Sequence, residues 1–146
     1  MLQNRFLLIC LSAIVVSLTS LCQETKFNSF VISDTFAYRK GVTSTYADAP
    51  YLTGQTPGFT LPEAIHSQQP QYPLWELSER IDGIVILKVL IAKDGKIQRA
   101  VVEQSAHKGM SRSAIEALLQ SEFKPARKDS LPIDVWMKLT YRFNTK

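Results

Sequence analysis

The chain has 146 residues, of which 45% are hydrophobic and 21% charged, with six glycines and seven prolines; this excludes collagen-like, low-complexity and wholly disordered classes. Its formal charge of +4 is too small and too dispersed for a nucleic-acid footprint, so no nucleic-acid partner is expected. Once an apolar N-terminal end is set aside, about 120 residues remain, enough for one domain and a tail but not for two domains.

Residues 1–22 have the three-part form of a secretory signal peptide: Arg5, an apolar run over 6–18, then small or polar residues toward Cys22. As a helix that run spans roughly 20 Å against a hydrocarbon core of roughly 30 Å. Cleavage before Gln23 and delivery to the periplasm therefore outrank retention as an inner-membrane anchor. Lipid attachment at Cys22 ranks lower, because Leu21 is not a small residue. Cys10 and Cys22 are the only cysteines, so a mature chain starting at Gln23 has no disulfide, thiolate ligand or cysteine nucleophile.

Residues 23–62 read as a linker or loosely packed arm. Their aromatics (Phe27, Phe30, Phe36, Tyr38, Tyr46, Tyr51, Phe59) exceed what a free tether needs, which points to short strands lying on the domain that follows, 63–146. Within that domain the spacing predicts a helix over 72–81, with Pro73 near its start, Leu74, Leu77 and Ile81 on one stripe, and Gly83 ending it. Residues 84–92 form an almost unbroken apolar strand, interrupted by Lys88. Asp94-Gly95 then predicts a tight antiparallel hairpin into 97–105. Ser111 is the expected N-cap of a second helix with the apolar stripe Ala114, Ile115, Leu118 and Leu119, ending before Pro125. Finally, residues 133–143 alternate: Ile133, Val135, Met137, Leu139, Tyr141 and Phe143 face a core, while Asp134, Trp136, Lys138, Thr140 and Arg142 face water.

The expected fold is α+β, a small three-stranded antiparallel sheet with two helices on one face and 84–92 as the middle strand. The hairpin partner and the last strand are then its two edges. Ile84, Ile86, Leu90 and Trp136 suggest that the second face is also covered, by the arm or by a second copy in a homodimer.

Catalytic constellations are sparse. His66 and His107 have no zinc spacing and read as solvated loop histidines, so no metal or cofactor site is expected. Ser111 and Ser113 suit a helix start better than a nucleophile, Glu76 and Glu79 suit a solvated face, and Lys124, Arg127 and Lys128 complement a helix dipole. What the domain offers is a sheet edge. Lys138 and Arg142 either guard it against pairing or flank a strand-addition site.

Gln69-Pro70-Gln71-Tyr72-Pro73, Asp82-Gly83, Lys93-Asp94-Gly95-Lys96-Ile97, Phe123-Lys124-Pro125-Ala126 and the final alternating strand, in that order, resemble the C-terminal domain of TonB-family proteins. The resemblance implies a non-catalytic domain that adds an extended segment of a TonB-dependent outer-membrane receptor, or of another envelope protein, beside its last strand. It implies peptide-binding residues Gln69, Pro70, Gln71 and Tyr72, which match the stretch that meets the receptor plug. The receiving strand is matched by Lys138, Leu139, Thr140, Tyr141, Arg142, Phe143 and Asn144. Ser121 departs from the family pattern, where Trp is frequent two residues before the Phe of Phe-x-Pro. The leader has no acidic residue or His, and residues 23–62 extend at most roughly 130 Å at about 3.3 Å each. Two alternatives stay open: with the leader retained, a short energy transducer coupled to an inner-membrane, proton-driven motor complex; or a small periplasmic hydrolase using His66 or His107.

Overall fold

In the computed structural model residues 30–40, 48–54 and 56–145 are described; the leader, and with it the expected secretory signal, lies outside them. In chain order, strands β1 (Phe30–Ile32), β2 (Phe36–Arg39), β3 (Tyr51–Leu52), β4 (Phe59–Thr60) and β5 (Glu63–His66) precede helix α1 (Leu74–Ser78). Strands β6 (Gly83–Ile91) and β7 (Ile97–Ser105), helix α2 (Lys108–Gln120), and strands β8 (Glu122–Lys124), β9 (Ala126–Lys128), β10 (Leu131–Ile133) and β11 (Val135–Phe143) follow. No helix among the described residues is long and apolar enough to cross a membrane.

The Asp94-Gly95 hairpin forms where the sequence predicts it. Gly95 takes φ +80°, a conformation that costs a residue without Cβ little. Its N–H donates to Ala92 O at 2.8 Å, and Asp94 Oδ1 accepts the Lys96 N–H at 3.0 Å. Strands β6 and β7 pair antiparallel from this turn, and β11 runs antiparallel along the other side of β6, from Val135↔Ile91 to Phe143↔Gly83.

Those three strands are the centre of a larger sheet, not the whole of it. Its order is β1-β2-β7-β6-β11-β3, and it is mixed, because β3 lies parallel to β11. The three-stranded expectation, with the hairpin partner as an edge, is corrected: β2 covers β7 through Phe36↔Val101, Ala37↔Ala100 and Tyr38↔Arg99. The physical reason is that the bare main chain of β7 takes partners from the nearest β-prone segment, and Phe36, Ala37 and Tyr38 supply one. Ala37 and Phe30 are also drawn into the main core. Smaller sheets, β10-β9-β4 and β5-β8, lie beside it.

The main core joins Val85, Leu87, Val89 and Ile91 of β6 to Met110, Ala114, Ile115 and Leu118 of α2, with Phe143 at the end of β11. The inward alternation read for the last strand holds for Met137, Leu139 and Tyr141, which pack against this core. A second cluster gathers Leu52, Ala126 and Val135.

Both helices depart from the sequence reading. Helix α1 spans five residues, and the stripe assigned to it faces out: Leu74 is 83% and Leu77 44% exposed, as is Trp75 at 56%, whereas Glu76 is 3% exposed. Arg80 takes φ +53° and Ile81 N–H donates to Glu76 O at 2.9 Å, so the chain leaves the helix before Ile81, which packs on the core from a loop. Helix α2 starts four residues earlier than expected, with His107 as N-cap. Ser111 sits inside its first turn, buried, and its hydroxyl donates to His107 O at 3.2 Å. The capping acceptor comes from elsewhere in the chain: the Glu76 carboxylate accepts the Gly109 N–H.

Candidate functional site

Outside β11 on the side away from β6 lies β3, and it pairs only at Trp136↔Tyr51 and Met137↔Leu52. There Trp136 N–H donates outward to Pro50 O at 2.9 Å. Main-chain groups alternate sides along a strand, so Thr140 and Arg142, of the same parity as Trp136, present their N–H and C=O to this border. Beyond Met137 no strand among the described residues pairs there. Lys138, Thr140 and Arg142 are exposed, Leu139 and Tyr141 half-buried, Phe143 buried, and Asn144 lies exposed just past the strand.

Lys138 Nζ bonds Glu103 Oε2 at 2.7 Å, and the hydrogen bond and charge of Glu103 hold its ammonium above the ordinary lysine value. Beside it, Lys88 Nζ stands 5.3 Å from the Tyr51 ring centre and 5.1 Å from that of Trp136. Burial pushes the Tyr141 phenol up, with the neighbouring Ser121 hydroxyl opposing the shift.

The Gln-Pro-Gln-Tyr stretch meets the C-terminal end of β11. Tyr72 meets Phe143 edge to face, with centroids 5.5 Å apart, and its hydroxyl donates to Ile81 O at 2.5 Å. Burial, then the nearby Asp82 carboxylate, raises that phenol above its ordinary value. Ser113 Oγ donates to Gln71 O. Gln69 and Gln71 are exposed, while Pro70 is half-buried.

Two side chains that sequence reasoning set aside hold this arrangement. Ser121 Oγ accepts the Gln68 N–H at 3.0 Å and donates to Ala117 O at 2.9 Å, tying the stretch to the end of α2. A buried Ser where Trp is frequent is the signal that could have found it. His107 is no solvated loop residue: its Nδ1 bonds Glu76 Oε1, and the Trp75 ring stacks on it at 5.0 Å. That pair overturns the reading of Glu76 as a solvated carboxylate. Among the described residues no group of three or more His, Cys, Asp and Glu could hold a metal. His66 is exposed on β5, Lys124 pairs with Glu63 at 2.8 Å, and Lys128 Nζ lies 5.4 Å from the Phe59 ring centre.

Asp82 Oδ1 accepts both the Thr145 N–H (2.7 Å) and its hydroxyl (2.8 Å), tying the end of β11 to the start of β6. The solution NMR structure of the Pseudomonas aeruginosa TonB CTD is similar at 21% identity and a TM-score of 0.49, over 57% of this chain and 85% of that one. No curated protein matches the chain. The family model described as the Gram-negative bacterial TonB protein C-terminal matches residues 68–145. That span runs from the residue held by Ser121 to the one clamped by Asp82, and by it the chain belongs to the TonB C-terminal family.

Proposed function

We propose that this chain is a periplasmic, TonB-like peptide-binding domain that docks on outer-membrane receptors or other envelope proteins by strand addition, in TonB-dependent transport. The observation that carries this reading is the outward-facing main chain of Thr140 and Arg142, unpaired by any strand among the described residues. An extended segment gains affinity there from main-chain hydrogen bonds and selectivity from the flanking side chains. Family membership supports the same role. The contact of Tyr72 with Phe143 supports a role for Gln69, Pro70 and Gln71 beside a partner that leaves the border.

The test is an NMR titration of the labelled protein with N-terminal peptides of outer-membrane receptors. Amide shifts concentrated at Lys138 to Asn144, and smaller ones at Gln69 to Tyr72, are expected. Absence of shifts in the last strand at peptide concentrations of about 1 mM, weaker than any useful docking, would reject the reading.

A further inference from the structure

We infer that β3 is a strap lying on the docking border, an autoinhibitory contact that a longer partner strand must lift. The inference rests on the docking reading above and concerns how much of that border is free. Strand β3 takes the position that an added strand would take: outside β11, paired with its main chain, and closing the outward amide of Trp136 through Pro50 O. It stops at Leu52, so Trp136 and Met137 are covered while the outward groups of Thr140 and Arg142 are not.

The strap is held at both faces of the sheet. Leu52 is buried with Ala126 and Val135, while Tyr51, 40% exposed, lies near the ammonium groups of Lys88 at 5.3 Å and Lys138 at 6.0 Å. These are few contacts for a two-residue strand, which makes it displaceable. A partner short enough to pair only from Lys138 onward ignores it. One that continues toward Val135 competes with Tyr51 and Leu52 for the same main-chain groups.

The experiment compares the full-length wild type with Tyr51→Ala and Leu52→Asp, using receptor N-terminal peptides of about five and about nine residues, one matched to the free stretch and one longer, at roughly 3.3 Å per residue. Both variants should bind the longer peptide about tenfold more tightly than wild type and the shorter one equally. Trp136 amide exchange should be faster in the free variants. Melting curves check folding, and Tyr51→Ala, which removes a half-exposed ring, keeps the comparison should Leu52→Asp not fold. Equal affinity of the longer peptide for wild type and Tyr51→Ala overturns the strap and leaves docking standing. No shift at Thr140 or Arg142 with either peptide in any of the proteins overturns docking, and the strap with it.

Discussion

Glu76 is the one charged residue that is buried among those described, and its surroundings explain how that is tolerated. Burial alone pushes its carboxyl up; the hydrogen bond and charge of His107, with its own N–H and that of Gly109, outweigh this and hold it below its ordinary value of 4.5. A carboxylate whose folded value is depressed contributes stability that is complete above the ordinary value and is lost as pH falls through the folded one. Denaturation midpoints of the wild type should therefore fall on acidification below about pH 4.5, and less steeply for Glu76→Gln. An equal slope for both would remove Glu76 from the acid response. Gly109 belongs to the same arrangement, because a Cβ there would run into the Glu76 carboxylate. Gly109→Ala should destabilise the protein by about 1–3 kcal/mol, readable as a lower Tm, whereas helix propensity alone favours Ala by about 1 kcal/mol. None of this was legible locally. Leu74 and Leu77 have helical spacing and so suggested an inward stripe, but the inward position belongs to Glu76 because its partner lies 31 residues away.

At the scale of the element, β11 shows what periodicity carries and what it does not. The alternation of Met137, Leu139, Tyr141 and Phe143 with Lys138, Thr140 and Arg142 was readable because side-chain direction has period two and one face is buried. The Asp94-Gly95 hairpin was readable because its turn needs a positive φ. Which amides face the free border was not: that follows from the bond between Trp136 and Pro50, made with a segment far away in sequence. This parity yields a paired prediction. Thr140→Pro removes an outward N–H and leaves the β6 ladder its donors, so the variant should fold, melt a few degrees lower at most, and lose peptide binding. Leu139→Pro removes an inward donor of the β6 ladder from the same strand and should destabilise the protein well beyond Thr140→Pro, or unfold it. Circular dichroism with a peptide titration separates the two. Retained binding by folded Thr140→Pro protein would place the docking surface elsewhere.

The arm decides the shape of the whole molecule, and it was the least legible part of the sequence. Strands β1, β2 and β3 have three, four and two residues, too short for a period to emerge; β2 and β3 form on the unpaired main chain of β7 and β11, and β1 on that of β2. They also finish the core: Ala37 is fully buried and Phe30 nearly so, both in the main cluster, and Thr35 O accepts the Val102 N–H at 2.8 Å. A tether and a structural arm therefore predict different behaviour when the chain is cut. Removing residues through Lys40 takes Phe30 and Ala37 from the core and should cost about 3–5 kcal/mol. It also bares β7 along Val101, Ala100 and Arg99, an edge that invites pairing with another copy. Thermal melting should show the loss, and sedimentation should show self-association rising with concentration in the truncated chain but not in the intact one. Unchanged melting together with a monomer at every concentration would make the arm a tether and leave the three central strands, with α2, as the folding unit. The proposed docking border on β11 lies across the sheet from β2, so the same truncation should leave peptide shifts at Thr140 and Arg142 intact wherever the protein still folds.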